Sequence, residues 1–234
     1  MRRALVTGGA SPIGAAIARA LAAAGFTVCI HAHRSGERAA ALAAELGGET
    51  CGFDIVDAAA TRAALADLLR AGPIQVLVHN AGLHDDVPLA GMSEQQWHRV
   101  VDVSLTGFYN VAQPLMLPMI GTRWGRVIAI SSVAALMGNR GQVAYAAAKA
   151  GLHGAVRALS LECASRGVTV NAVAPGIIES PATDALFDRD KLAQLVPMKR
   201  AGTPAEVADL VAFLASDKAG YISGQIISVN GGMA

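Results

Sequence analysis

Short runs of apolar and β-branched residues recur along the chain, and segments with helical spacing lie between most of them. The runs predict seven strands: Ala4–Thr7, Thr27–Ala32, Glu49–Phe53, Gln75–His79, Arg126–Ser131, Thr169–Ala174 and Gln225–Val229. Apolar residues at i, i+3 and i+4 predict helices that include Ile13–Ala24, Arg38–Leu46 and Ala58–Leu69. This alternation predicts an α/β fold with a doubly wound, seven-stranded, mainly parallel sheet and helices on both faces.

The stretch TGGASPIG (7–14) follows the first predicted strand, at the edge of the sheet where ligands bind in this architecture. Gly8 and Gly9 permit a tight turn, and Gly14 lets the next helix pack close to the sheet or to a pyrophosphate. The N-terminus of that helix offers free N–H groups to a phosphate. Pro12 fits if it opens that helix, where an N–H would have no intrahelical partner. The same pattern also occurs in plain turns that bind no nucleotide.

The stretch HAHRSG (31–36) follows the second predicted strand and contains no carboxylate. In proteins that select NAD, a carboxylate at this point binds the ribose 2′-hydroxyl. His33 and Arg34 could instead hold a 2′-phosphate, or they could belong to a solvated basic loop. No third ligand accompanies His31 and His33, so no metal site is predicted.

Tyr145 and Lys149 lie four residues apart, on one face of an alanine-rich predicted helix. We expect the ammonium to lower the pKa of the phenol, so that the tyrosine can exchange a proton with a carbonyl oxygen. A serine hydroxyl from the preceding strand end could bind the same oxygen. Alone, such a pair is usually two surface neighbours; together with the serine and the glycine-rich turn it indicates a catalytic site.

Composition and charge exclude several classes of function. The chain of 234 residues has a formal net charge of +1 with interspersed charges, so no nucleic-acid partner is predicted. No apolar run reaches the roughly 18 residues of a membrane span. Three scattered cysteines indicate a reduced, cytoplasmic protein. No linker or repeat divides the chain, so residues 1–234 are predicted to form one domain.

In their order, the motifs resemble the short-chain dehydrogenase/reductase family along the whole chain, which implies a Rossmann-type fold. The matching elements are TGGASPIG (7–14), Asp54 in FDI, HNAG (79–82), Ser132, YAAAK (145–149) and NAVAPGII (171–178). Within the family, MGNRGQ (137–142) and ASRGVTVNAVAPG (164–176) are most similar to bacterial β-ketoacyl-ACP reductases. DVSLTGF, GNRGQ and VPMKRAG resemble the subgroup linked to aryl-polyene-type acyl chains.

The resemblance implies NADPH/NADP⁺ as cofactor and assigns roles by position. Ser132 would orient the substrate carbonyl, Tyr145 would donate the proton, and Lys149 would hold the nicotinamide ribose. Asp54 and Ile55 would meet the adenine, Asn80 to Gly82 the adenosine ribose, Gly176 and Ile178 the carboxamide, and Ser180 the phosphates. The full cofactor set is Gly8, Ser11, Ile13, Gly14, His33, Arg34, Asp54, Ile55, Asn80, Ala81, Gly82, Tyr145, Lys149, Pro175, Gly176, Ile178 and Ser180.

Several of these positions have plainer alternatives. Asp54 could be a helix N-cap, and Asn80, Gly82 and Pro175–Gly176 could be turn residues. Taken one at a time these alternatives are adequate, but they explain poorly why so many matches follow strand ends in the family's order.

The chain also departs from the family pattern. Pro12 replaces a glycine, His79 replaces the first asparagine of NNAG, and Ala144 stands where asparagine is common. Ser104 occupies the position of a fourth catalytic residue, usually asparagine, whose carbonyl holds a water that serves the lysine. Asn110 is out of register and is not given this role. We expect the Ser104 hydroxyl to bond the Val100 carbonyl one turn earlier and so preserve the helix kink.

The resemblance further implies an acyl carrier protein as partner. Arg123 and Arg166 match arginines that dock the acidic carrier, although exposed arginines near helix ends are also favourable to the helix dipole. Asn139, Gln142 and Phe187 would line the substrate side, with residues 183–195 as a helical lid. Small residues in the predicted helix 143–165 would permit packing into a homodimer or homotetramer.

These expectations together predict NADPH-dependent reduction of 3-oxoacyl-ACP to 3-hydroxyacyl-ACP in fatty-acid or polyene-type chain synthesis. One alternative is a family member that acts on a small free ketone or alcohol, such as a sugar or steroid. Another is a catalytically idle nucleotide-binding module, which Pro12 and Ser104 leave open.

Overall fold

Seven strands form one sheet in which every neighbouring pair is parallel. The computed structural model describes residues 1–234. In chain order the strands are β1 (Arg3–Thr7), β2 (Thr27–His31), β3 (Glu49–Cys51), β4 (Val76–His79), β5 (Gly125–Ile130), β6 (Val168–Pro175) and β7 (Ile226–Val229). Across the sheet their order is β3-β2-β1-β4-β5-β6-β7, so the strand order reverses between β1 and β4, from which the two halves of the sheet extend to opposite sides. Ligands bind at such a reversal, beyond the carboxyl ends of the strands.

Helices cover both faces of the sheet. They are α1 (Pro12–Ala23), α2 (Gly36–Leu46), α3 (Ala58–Arg70), α4 (Glu94–Val101), α5 (Gly107–Gly121), α6 (Ala134–Met137), α7 (Val143–Cys163), α8 (Pro181–Leu186), α9 (Arg189–Leu195) and α10 (Pro204–Ala215). Local caps begin several of them: Asp57 accepts two N–H groups of α3, and Thr203 forms a capping box with Glu206 at α10.

Successive strand residues alternate between two apolar cores, one on each face of the sheet. Val6, Val28, Val78 and Ile128 face the core that α1, α2 and α10 cover. Leu5, Cys29, Leu77 and Val127 face the core that α3, α5 and α7 cover. The sheet is therefore buried on both sides, which leaves the strand ends as the place for polar chemistry.

The predicted strands and the doubly wound architecture are confirmed, and the sheet is parallel throughout. The predicted helix 143–165 ends at Cys163 and continues as the 3₁₀ turn Ala164–Arg166. The lid segment contains two short helices, α8 and α9, because Asp188 accepts the Lys191 N–H and starts a new helix. None of the helices has the length and hydropathy that crossing a lipid bilayer requires.

Candidate active site

The glycine-rich loop between β1 and α1 is shaped by close contacts. Gly8 has φ +59°, in the left-handed region that favours glycine. A Cβ on Gly14 would collide with the Gly8 carbonyl and lie 2.9 Å from Nδ2 of Asn80. Ser11 caps α1 by accepting the Gly14 N–H at 3.1 Å, and Pro12 is the first helical residue, as predicted. Gly14 is thus required by the loop itself.

Two side chains from neighbouring strand ends hold this loop. Nδ2 of Asn80 donates to the carbonyls of Thr7 and Gly8 and to Oγ of Ser11, at 2.9–3.2 Å. The buried His31 ring accepts the Gly8 N–H at Nδ1 and donates from Nε2 to Phe53. Burial lowers the pKa of His31, which keeps the ring neutral for both bonds. Sequence reasoning considered His31 only as a metal ligand and missed this role.

The loop still has N–H groups to offer an anion. Within the chain, the N–H groups of Ala10 and Ile13 make no hydrogen bond, whereas those of Gly8, Gly9, Ser11 and Gly14 are engaged. Both free groups lie at the N-terminal end of α1, where the helix dipole favours negative charge. Pro12 therefore costs the loop one donor and leaves two.

The loop after β2 presents basic side chains at the surface. Arg34 is exposed and has no ion pair or side-chain hydrogen bond in the chain. Nδ1 of His33 lies 3.9 Å from Asp54. Arg38 was missed in the sequence; its guanidinium donates to the Ser35 hydroxyl at 2.6 Å, beside the same loop.

Asp54 and Ile55 lie beyond the end of β3. The alternative that Asp54 caps a helix is wrong, because α3 is capped by Asp57 and Asp54 accepts the Val56 N–H within a turn. Ile55 is buried, and its carbonyl accepts Nδ2 of Asn110 at 3.0 Å. Asn110 thus supports this loop from α5.

Ser132, Tyr145 and Lys149 come together beyond the carboxyl end of β5. Nζ of Lys149 lies 5.8 Å from the centre of the Tyr145 ring and donates to the Ile130 carbonyl at 2.8 Å. The neighbouring Ser131 hydroxyl is buried and bonds His153 at 2.7 Å. Ser132 is only partly buried, and its hydroxyl accepts one backbone N–H. Of the two serines, Ser132 is the one whose hydroxyl faces Tyr145 at the partly exposed end of the strand.

The electrostatics of this cluster differ from the prediction. Burial raises the pKa of Tyr145; the Ser132 hydroxyl opposes the shift and the Asp86 carboxylate adds to it. Burial also lowers the pKa of Lys149 to about 8. In the chain by itself, desolvation has the largest effect on the pKa of each group, and the expected lowering of the Tyr145 pKa by Lys149 is not found.

Ser104 lies in a π-helical turn, Asp102–Thr106, between α4 and α5. The predicted hydrogen bond to Val100 is wrong: the buried Ser104 hydroxyl has no partner. A π turn has i→i+5 bonds, which displaces the carbonyl one turn earlier from the place where it would meet an α-helical serine. The kink is thus a π turn, and the Ser104 carbonyl accepts Nε2 of His79 at 3.1 Å.

The end of β6 provides backbone groups opposite the glycine-rich loop. The Gly176 N–H already donates to Val229, so only the Gly176 carbonyl remains for a ligand. The Ile178 N–H makes no hydrogen bond in the chain. Pro175 accepts the Val133 N–H, and Ser180 caps α8 through its hydroxyl.

Substrate-side residues surround Tyr145. The His84 ring stands edge-on to the Tyr145 ring at 6.1 Å, and Asp86 bonds both His84 and Gln142. Asn139 is exposed in the same loop as Gln142, and Phe187 is partly buried between α8 and α9. Sequence reasoning missed His84 and Asp86, although HDD (84–86) follows the HNAG motif after a single leucine and could have signalled them.

The two predicted docking arginines lie near each other at the opposite end of the strands from Ser132. Arg123 precedes β5 and Arg166 precedes β6, and the Gly125 N–H donates to the Gly167 carbonyl between them. Both lie at the amino ends of their strands, whereas Ser132 follows the carboxyl end of the six-residue β5, which is roughly 20 Å long. Arg123 has φ +52° and its N–H bonds Ile120, so it also terminates α5.

Comparison with known proteins agrees with this architecture. A family model described as enoyl-(acyl carrier protein) reductase matches residues 8–234. The 3-oxoacyl-[acyl-carrier-protein] reductase FabG of Aggregatibacter actinomycetemcomitans is 43% identical over 240 residues, 98% of each chain. Nodulation protein G of Rhizobium sp. (strain N33) is 45% identical over 242 residues, 100% of this chain and 97% of that one. The Staphylococcus aureus (strain Mu50) FabG is 42% identical over 242 residues, 99% and 98% of the two chains.

The similarity extends over the glycine-rich loop, the Ser132–Tyr145–Lys149 cluster and the last strand, because both the family model and the relatives cover nearly the whole chain. The predicted resemblance is confirmed. The chain belongs to the short-chain dehydrogenase/reductase family of oxidoreductases.

Proposed function

We propose that this protein reduces 3-oxoacyl thioesters on an acyl carrier protein to 3-hydroxyacyl thioesters, with NADPH as reductant. The observation that carries the proposal is the convergence of Ser132 and Tyr145 over the buried Lys149. The names of the FabG relatives support the same substrate class.

The residues present fit a dinucleotide phosphate. Ala10 and Ile13 offer free N–H groups to the phosphates, and Ile178 offers one to the carboxamide. Ile55 and Asp54 border the adenine side, where the unpaired Arg34 suits a 2′-phosphate better than a 2′-hydroxyl. When bound, NADPH supplies a hydride from C4 of its nicotinamide.

The chain's own residues handle the substrate oxygen and its proton. Ser132 donates a hydrogen bond to the 3-oxo oxygen, and Tyr145 transfers its phenolic proton to that oxygen as the carbon is reduced. The raised pKa keeps Tyr145 protonated beforehand, and the Lys149 ammonium then stabilises the phenolate. Tyr145 must afterwards be reprotonated.

The carrier, the assembly and the location are parts of the proposal that rest on separate features. Exposed Tyr109 and Leu117 on α5 and Leu161 on α7 support a homodimer or homotetramer. Three free thiols fit a cytoplasmic location. Arg123 and Arg166 would receive the acidic carrier at the surface.

Charge reversal tests the carrier site. Arg123→Glu and Arg166→Glu should each raise KM for an acyl-ACP severalfold and leave KM for a small thioester unchanged, because surface charges act through screened attraction. The effect should shrink in high salt. An equal loss on both substrates would show that the arginines support the fold instead.

A comparison of substrates tests the reaction. NADPH oxidation should be fastest with acetoacetyl-ACP and measurable with acetoacetyl-CoA and the N-acetylcysteamine thioester. The description of the family model names an enoyl reductase, for which crotonyl-ACP is a substrate. We expect no reaction with crotonyl-ACP. Turnover of small free ketones without thioesters would favour the free-carbonyl alternative, and NADPH binding without any turnover would favour the idle module.

A further inference from the structure

His79 and Ser104, two departures from the family pattern, contact each other in the interior. Neither residue has exposed surface. Nε2 of His79 lies 3.1 Å from the Ser104 carbonyl oxygen. The two departures therefore form one structural feature, in which the side chain of β4 bonds the backbone of the π turn.

The neighbours of His79 decide which ring nitrogen carries the proton. The Thr7 hydroxyl oxygen accepts the N–H groups of Asn80 and Ala81, each at 3.0 Å, which leaves its own proton for Nδ1 of His79 at 3.5 Å. Nε2 then carries a hydrogen and donates it to Ser104. Burial lowers the pKa of His79 to about 3, so the ring is neutral at working pH.

The Ser104 hydroxyl and the Lys149 ammonium both lie close to Gly82. A Cβ on Gly82 would lie 2.8 Å from Nζ of Lys149 and 3.4 Å from Oγ of Ser104. Oγ has no partner, and Nζ uses one of its three hydrogens on Ile130. Two polar groups with spare hydrogen-bonding capacity are thus at most about 6 Å apart, within reach of one bridging water.

We propose that His79 is a positioning residue that fixes the Ser104 carbonyl, so that the Ser104 hydroxyl, and not that carbonyl, holds a buried water against Lys149. The proposal rests on the proposed reduction. In that reaction, Tyr145 loses a proton to the substrate. Lys149 returns a proton to Tyr145 and is itself reprotonated by this water, which takes a proton from solvent. Ser104 is the ligand of the water, and His79 acts only through the π turn.

A crystal structure of the purified protein tests the water independently of activity. We expect one water within hydrogen-bonding distance of both Oγ of Ser104 and Nζ of Lys149, with His79 bonded to the Ser104 carbonyl. A water on that carbonyl, or no water between Oγ of Ser104 and Nζ of Lys149, would overturn the proposal. This readout stands even if no 3-oxoacyl thioester is reduced, which would refute the proposed function alone.

Kinetics test the roles of the two residues. Ser104→Ala should lower kcat at least fivefold and leave KM and the NADPH Kd within twofold, with a larger solvent isotope effect. His79→Gln retains a donor at the Nε2 position and should keep more than half of kcat. In His79→Asn the shorter side chain does not reach the Ser104 carbonyl, and we expect kcat to fall as much as in Ser104→Ala.

The double variant His79→Asn/Ser104→Ala should be no slower than the slower single variant, because both act on one water. His98→Asn, on the exposed face of α4, is the matched control and should behave as the natural chain. An unchanged kcat in Ser104→Ala, or equal damage from His79→Gln and His79→Asn, would contradict the assigned roles.

Discussion

The cofactor side and the catalytic side of the sheet edge use their polar groups in opposite ways. In the loop after β1, Asn80, His31 and Ser11 satisfy most of the loop's polar atoms within the chain. At the end of β5, the Ser132 hydroxyl faces Tyr145 and remains partly exposed, and Lys149 keeps two free N–H groups. The loop is thus built to hold a shape, whereas the catalytic side is built to act on a ligand.

Burial of Lys149 and Ser104 lowers the folding stability of the protein. The lowered pKa of Lys149, about 8 against an ordinary 10.5, corresponds to roughly 3 kcal/mol of disfavoured charge at neutral pH. The unpartnered Ser104 hydroxyl adds to this cost. The proposed function accounts for the presence of these two groups in the interior.

The largest effect should come from the proton donor. Tyr145→Phe removes only the hydroxyl and should lower kcat with acetoacetyl-ACP by about 10²- to 10⁴-fold. NADPH affinity, measured by fluorescence titration, should stay within about threefold. Tyr221→Phe, at a fully exposed position, is the control. Substantial activity in Tyr145→Phe would remove Tyr145 from the mechanism.

Arg34 should determine the preference of the protein for NADPH over NADH. We expect the natural chain to prefer NADPH to NADH, and Arg34→Ala to weaken NADPH binding by roughly 1.5–3 kcal/mol with little change for NADH. Arg19→Ala, which breaks an exposed ion pair with Glu45, should leave both affinities unchanged. Equal Kd values for the two cofactors in the natural chain would refute this assignment.

A side chain at Gly14 should destabilise the glycine-rich loop. Gly14→Ala places a methyl group against Gly8 and Asn80 and should cost about 1–3 kcal/mol of unfolding free energy, with weaker NADPH binding. Gly121→Ala is the control, because no atom lies within 4 Å of its Cβ. Urea unfolding measures both variants. An unchanged free energy of unfolding and an unchanged NADPH affinity in Gly14→Ala would show that the loop can accommodate a methyl group, against this prediction.

A smaller effect, with a defined pH window, should come from Lys149. Lys149→Met should abolish turnover and yet stabilise the protein by about 1 kcal/mol at pH 7, because the disfavoured charge outweighs the lost bond to Ile130. The natural chain gains stability as pH rises from about 8 to 10.5, since the unfolded state then binds the extra proton. The advantage of the variant should therefore shrink over that range; a constant difference would contradict the burial argument.

The sequence predicted the fold because its strands are apolar runs and its helices have clear caps, as at Ser11 and Pro12. It also located the candidate site, since the motifs follow strand ends. It did not predict the sign of the Tyr145 pKa shift, which depends on burial and not on the four-residue spacing to Lys149. Nor did it predict the bond between His79 and Ser104, because distant parts of the chain form it.

Hydride transfer itself tests the central claim most directly. The protein is incubated with acetoacetyl-ACP and NADPH that carries deuterium at both positions of C4 of the nicotinamide, and the product is examined by mass spectrometry. We predict 3-hydroxybutyryl-ACP with one deuterium at C3, and none from the Tyr145→Phe variant over the same time. A product without deuterium at C3, or no product from a folded protein that binds NADPH, would contradict the account.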